Sequence, residues 1–214
     1  MALETLFEDG DLLAVNKPAG LLVESSKGNE RSLLDLVSEA SGRRAIAYHR
    51  LDRETSGVVL FGKTARLNKQ MGQLFSDKKI RKTYWLLAKG AWSKTVNRVE
   101  TRIGKSDLGG WSNLKVGGKA ALTTFRVLGC DSDVSWVEAL PKTGRTHQIR
   151  LHCLYAGYPI IGDRIYGEGS GSDFMALHAR SLRFVHPLSR ESLEIVSQPS
   201  EAWSDWLRRF GEGV

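Results

Sequence analysis

The sequence predicts an α+β chain with a mixed, largely antiparallel central sheet flanked by helices and loops. Three observations lead there. Strand-like runs, short and apolar or alternating, recur from the first residues to the last third of the chain. Turn signals sit between the early strands, and only a few stretches carry the three-to-four-residue apolar spacing of a helix. No repeat, low-complexity tract or convincing linker interrupts the 214 residues, so they read as one domain, 1–214.

The opening "LETLFEDGDLLAVNKPAGLLV" reads as strand, Asp-Gly turn, strand and a second turn. In that second turn Pro18 presets φ at the second position of "KPAG" and Gly20 suits the fourth. "SLLDLVSEASG" predicts a helix with a capping hydroxyl at Ser32, Asp35 three residues on, an apolar face of Leu33, Leu36, Val37 and Ala40, and a stop at Gly42. "GVVLFGK" has the form of a buried strand. A second helix is expected from Thr64, with Leu67, Met71, Leu74 and Phe75 on its core face. "KKIRKTYWLLAKG" predicts a strand entered through a basic segment, and "TVNRVETRIG", "AALTTFRVLG" and "VSWVEALP" predict three more. In "TGRTHQIRLHCLYAGYP", Thr146 is the expected cap of a helix ending at Gly157, with Pro159 beyond it. "SLRFVHP" and "SLEIVS" read as strands, and "SEAWSDWLRRFG" as a closing helix with Trp203, Trp206, Leu207 and Phe210 on one stripe. The glycine-rich patches "DLGGWSNLKVGG" and "YGEGSGSD" are expected to be surface loops.

Composition narrows the function classes. With 41% hydrophobic residues the chain has material for a core, and no run reaches the roughly 18 apolar residues of a membrane span. The N-terminus "MALETLFEDG" is acidic rather than basic then apolar, so a cytoplasmic location is expected. Cys130 and Cys153 have no motif spacing and do not suggest a disulfide framework. Lysine and arginine number 31 against 24 acids, a net charge of +7 that favours a polyanionic partner.

The densest chemistry lies in "HRLDRETSG", residues 49–57. Asp52 between Arg50 and Arg53 should be held ionised and available as base or nucleophile, although a loop bound by ordinary ion pairs would look the same. His147, His152 and Cys153, with His49, match no common zinc spacing, and the arginines among them oppose a cation. Arg145, His147 and Arg150 suggest anion contacts instead. A serine hydrolase is disfavoured by the absence of a G-x-S-x-G elbow, and a nucleotide cofactor by the absence of a Walker motif. "KKIRKTYW" with the later Lys89 sets Lys78, Lys79, Arg81, Lys82 and Lys89 beside Tyr84 and Trp85, a pattern suited to phosphates flanking a stacked base, although a solvated basic edge with Trp85 in the core would look the same. Strand alternation lets at most one of the two aromatic residues face a ligand.

Six blocks, "VNKPAGLLV", "HRLDRETSG", "KTYWLLAKG", "TGRTHQIRLH", "GYPIIGDRIYG" and "LHARSLRFVHP", resemble in sequence and order the RluA family of pseudouridine synthases. The resemblance covers nearly the whole chain and implies the pseudouridine synthase fold and isomerisation of a uridine within RNA, without metal, redox cofactor or ATP. It implies Asp52 as the catalytic aspartate, Arg150 as its pairing arginine, and Tyr84 as the tyrosine stacked on the uracil. Arg50 resembles the side chain that fills the gap left by a flipped base. Lys82, Arg145 and His147 are expected to contact RNA, whereas His49, Thr55, Ser56 and Gly57 shape the loop and Ile160, Ile161 and Asp163 support the cleft. Glu24 stands where relatives often carry histidine. Unlike larger members, the sequence shows no N-terminal S4-type module, and the compact form resembles members acting on tRNA or small rRNA stem-loops. A monomer is expected. The rival reading is an RNA-binding or RNA-folding protein whose binding matters more than its catalysis.

Overall fold

Asp9 closes the first turn by accepting hydrogen bonds from the backbone N–H groups of Asp11 and Leu12 at 2.8 and 2.7 Å. The turn joins β1 (Glu4–Glu8) to β2 (Leu12–Lys17) in an antiparallel pair with Thr5 opposite Val15. The computed structural model describes residues 3–25, 30–107, 109–167 and 172–211. It divides into two units, Met1–Lys82 with Ala179–Pro199, and Thr83–His178 with Ser200–Val214.

In the first unit β2 pairs antiparallel with β4 (Ser56–Gly62), and the two-residue β3 (Ile46–Ala47) pairs with the end of β4. The later part of β10 (Leu177–Val185) pairs antiparallel with β11 (Ser192–Val196). Helix α1 (Leu33–Ser41) starts as its sequence requires. Ser32 N–H donates to the Asp35 carboxylate at 2.8 Å, Asp35 N–H donates to the Ser32 hydroxyl at 3.3 Å, and Gly42 ends the helix at φ 63. Thr64 caps a single 3₁₀ turn, Ala65–Leu67, and α2 runs from Asn68 to Ser76. The expected face is inward: Leu67 and Met71 pack with Leu12, Leu60, Leu182, Phe184 and Ile195, and Leu74 and Phe75 lie against that cluster. Each fully buried side chain of this kind stabilises by about 1.5–3 kcal/mol.

The second unit holds strands in the order β5-β9-β8-β6-β7, namely Arg81–Lys89, Val134–Pro141, Lys119–Cys130, Arg98–Lys105 and Trp111–Leu114. All four pairings are antiparallel. The α+β class with largely antiparallel strands therefore holds. "DLGGWSNLKVGG" is not the loop expected of it: Trp111–Leu114 forms β7, opposite Lys105 to Arg102. Its glycines are turns at the ends of a hairpin. Gly118, at φ 61, lies so close to Ile103 that a Cβ there would sit 2.8 Å from the Ile103 carbonyl oxygen. The other patch, "YGEGSGSD", falls partly on residues 168–171, outside the described residues.

Helix α3 (Gln148–Tyr155) departs from its predicted start. His147, not Thr146, is the N-cap, at φ 55 and ψ 20 and without a side-chain capping bond. It ends at Tyr155, and Gly157 follows at φ 83. Six consecutive residues, Gln148 to Cys153, are buried, so α3 has no polar face and its polar groups need partners within the fold. The closing helix is shorter than its stripe suggests: a 3₁₀ turn, Glu201–Trp203, leads into α4 (Ser204–Arg208), with Trp203 and Leu207 buried.

Candidate active-site residues

Asp52, half-buried, opens a tight turn in which Thr55 N–H donates to the Asp52 carbonyl at 3.1 Å, just before β4 begins. The next carbonyl, that of Arg53, accepts from Gly20 N–H at 2.9 Å and from Lys17 Nζ at 2.8 Å. Lys17 is completely buried at the end of β2, and its Nζ also donates to the carbonyls of Pro18 and Leu21 at 2.8 and 2.7 Å. One ammonium thus gathers three carbonyl oxygens and ties the Pro18–Leu21 loop to the Asp52 turn. Burial pushes the Lys17 pKa down to about 7 against the opposing pull of Glu54 and Asp52. Sequence reasoning missed this residue. The signal was its place at the end of a continuous apolar run, where a lysine must find partners.

The two arginines beside Asp52 in sequence face acids of the segment that precedes α1. Arg50 Nη1 lies 3.5 Å from Glu24 Oε2, with 75% of its side chain exposed. Arg53 grips Glu30 through Nη1 and Nη2 at 2.5 and 2.7 Å. His49 accepts a hydrogen bond at Nε2 from Leu60 N–H at 3.1 Å, and its ring centroid is 5.4 Å from that of Phe75. Burial, aided by the nearby Lys82 charge, pushes His49 down to about 3, so the ring is neutral. Lys82 is itself half-buried, with its pKa lowered by burial, whereas Arg81 next to it is exposed.

Tyr84 lies in the second unit, opposite Ala139, and Trp85 opposite Glu138, so the two aromatic residues take opposite faces of the sheet. Trp85 packs edge-on against Trp136 with centroids 4.9 Å apart. Tyr84 shares its face with Ala139, Phe125 and Thr123. Helix α3 covers that same face, because Gln148 Nε2 donates to Thr123 Oγ1 at 3.0 Å and His152 Nδ1 lies 2.8 Å from it.

Arg150, on α3, is 4% exposed and meets Asp163 in a two-pronged ion pair, Nε to Oδ2 and Nη2 to Oδ1, both 2.7 Å. Asp163 also accepts from the backbone N–H groups of Ile165 and Tyr166 at 3.0 Å. Burial alone would raise the Asp163 pKa; the Arg150 and backbone hydrogen bonds outweigh it and hold the carboxyl below its usual range. The Arg150 guanidinium lies 5.0 Å over the Tyr166 ring. The Tyr166 hydroxyl donates to the Trp111 carbonyl at 3.0 Å and lies 2.8 Å from His147 Nδ1. A phenol has one proton, so Nδ1 of His147 is the donor in that second bond. Arg145 is half-buried and donates from Nε to the Ala120 carbonyl at 3.0 Å.

Of the predicted site residues, Arg50, Asp52 and Lys82 belong to the first unit, and Tyr84, Arg145, His147 and Arg150 to the second. Tyr166 joins His147 to Arg150, and Asp163 holds Arg150. The histidine and cysteine set is dispersed over separate tasks. His152 has Thr123 at one ring nitrogen and Thr101 at the other, 3.0 Å away, and burial lowers its pKa to about 4. Burial also pushes the Cys153 thiol well up. Among the described residues no group of three or more metal-ligating side chains gathers.

Fold and residues together define an α+β protein with an aspartate on a clamped turn and an arginine locked in a buried ion pair. The chain belongs to the RNA pseudouridylate synthase family, whose sequence profile matches residues 11–155. It is 33% identical over 207 residues to Ribosomal large subunit pseudouridine synthase C of Vibrio cholerae, a match spanning 92% of this chain and 65% of the relative. It is 30% identical over 236 residues to tRNA pseudouridine synthase C of the same organism, with 98% and 96% of the two chains covered. Among solved structures, Human RNA Pseudouridylate Synthase Domain Containing 4 superposes with a TM-score of 0.80 at 25% identity, over 96% of this chain and 92% of that one.

Proposed function

We propose that this protein isomerises specific uridines to pseudouridine within structured RNA, a tRNA or rRNA stem-loop, with Asp52 as the catalytic group. The reading is carried by the Asp52 turn, clamped through Lys17, in a chain of the pseudouridylate synthase family. Its relatives are named for rRNA and for tRNA, and the tRNA-named relative matches this chain along nearly its full length.

In this reaction the bond between N1 of uracil and the ribose C1′ breaks and a bond from C5 to C1′ forms. C5 gives up its proton, and N1 gains one. Nothing is lost or added, so one carboxylate suffices where a glycosidase usually needs two. Asp52 supplies an anion beside the glycosidic carbon. Tyr84, on the sheet face opposite the packed Trp85, stacks on the uracil, and Arg150 contributes a fixed positive charge that Asp163 orients. A uridine must leave its stack to be reached, and the exposed Arg50 fills the gap it leaves. Lys82, Arg145 and His147 support RNA binding. On this reading the protein acts as a monomer in the cytoplasm.

The test is pseudouridine formation by purified wild type and Asp52→Asn on unmodified tRNA and rRNA transcripts, with sites mapped in cells lacking the protein. Wild type should modify a defined uridine, and Asp52→Asn should bind the RNA yet fall by at least about a thousandfold in rate. Turnover by Asp52→Asn would defeat the assignment. Restoration of RNA folding by that variant, with no site lost from the map, would favour an RNA-folding role.

A further inference from the structure

His49 sits where the chain leaves the sheet on its way to Asp52. Strand β3 pairs with β4 through Ile46 opposite Gly62 and Ala47 opposite Phe61, and Tyr48 N–H then donates to the Leu60 carbonyl at 3.1 Å. A continued antiparallel ladder would return a bond from Leu60 N–H to the carbonyl of Tyr48. That bond is made by the next side chain, with Nε2 of His49 as acceptor at 3.1 Å. The imidazole takes the place of a backbone carbonyl, so the main chain turns out of the sheet without orphaning the N–H of a fully buried residue. Phe75 packs against the ring, and the accepting Nε2 requires the proton on Nδ1. Three residues later comes Asp52, and beyond it Lys17 holds the Arg53 carbonyl. The segment carrying Asp52 is thus anchored on both sides, by His49 before it and Lys17 after it.

We infer that His49 is a positioning residue for Asp52, its imidazole closing the last β3–β4 rung in place of the backbone and so setting where residues 50–52 leave the sheet. The inference rests on the reading of Asp52 as the catalytic group. His49 itself exchanges no proton with substrate.

Three substitutions separate this role from simple packing. His49→Phe keeps a ring against Phe75 and removes the acceptor. His49→Gln places an oxygen three bonds from Cβ, as Nε2 is, whereas His49→Asn places one where Nδ1 stands. Measured at saturating RNA, the single-turnover rate of His49→Phe should fall by about 10- to 100-fold with RNA affinity unchanged, the scale of a misplacement near 1 Å. His49→Gln should recover most of that rate and His49→Asn little. Amide hydrogen exchange supplies a readout independent of turnover: Leu60 and residues 50–53 should exchange faster in His49→Phe and return toward wild type in His49→Gln. If His49→Phe does not fold, the Gln and Asn variants still give opposite expectations. Equal rates and equal exchange in Gln and Asn, or loss confined to thermal stability, would overturn the inference. Unaltered exchange at residues 50–53 would overturn it even if the protein proved to have no synthase activity. Wild-type turnover lost in Asp52→Asn but intact in His49→Phe would sink this inference and leave the proposed function standing.

Discussion

Arg50 keeps 75% of its side chain in solvent and meets Glu24 at 3.5 Å, whereas Arg150 keeps 4% and meets Asp163 through two bonds of 2.7 Å. Both are arginines paired with an acid, and their physics is opposite. An exposed pair at that distance contributes about 0–1 kcal/mol, so its arginine can exchange a carboxylate for another anion at little cost. A buried pair cannot exchange. Losing either partner strands a charge in the interior. The lesson is that the Asp52 segment is held by carbonyl oxygens around Lys17 and leaves Arg50 available to a ligand, while α3 fixes its arginine through charge.

The harshest way to break the comparison is to cut the buried pair. Asp163→Ala should destabilise the fold by roughly 3–5 kcal/mol in denaturant unfolding. The pH dependence carries the same sign: a carboxyl whose folded pKa lies below its unfolded value stabilises at neutral pH and loses that contribution as pH falls through the folded value. The acid limb of the wild-type stability curve should therefore be steeper than that of Asp163→Asn.

Lys17→Met tests the other anchor and should lower stability by about 2 kcal/mol at neutral pH, taking the ammonium donor from the Pro18 and Leu21 carbonyls and leaving the Arg53 carbonyl with Gly20 N–H alone. Lys17 has a folded pKa of about 7 against 10.5 in its ordinary state, so between those values the unfolded chain binds more protons. Its contribution to stability then rises with pH across that window. Urea unfolding from pH 6 to 10 should show that rise in wild type and a flatter curve in Lys17→Met.

Arg50→Ala should leave the unfolding midpoint where it is and slow modification of a stem-loop by about tenfold more than that of an unstructured strand. Equal slowing on both RNAs would remove the gap-filling role. The smallest effect belongs to Glu24→Gln. Freeing Arg50 should tighten RNA binding by about threefold at low salt, with the gain fading as ionic strength rises.

What was legible in the sequence was local. The Ser32–Asp35 capping box, the Asp9 turn and the apolar face of α2 depend on residues a few positions apart, and each forms as read. The motif around Asp52 was legible as chemistry, but its support was not, because Lys17 lies 36 positions from the Arg53 carbonyl it holds. The Arg150–Asp163 pair spans 13 positions and runs from a helix to a turn, a geometry that no periodicity signals. Strand β7 was hidden by the glycines that make its turns. The start of α3 was misread because Thr146 has the chemistry of a cap, while His147 takes the left-handed conformation and donates to Tyr166.

The sequence by itself determined the α+β class, most element positions, the basic character and the motif bearing Asp52, since all of these follow from short-range pattern and composition. Tertiary structure alone decided which charges are buried and which remain in water. It made Lys17 a clamp, His49 a surrogate carbonyl and Asp163 the partner of Arg150, because the worth of a charge or a hydrogen bond depends on the solvent it has lost and the partner it has found.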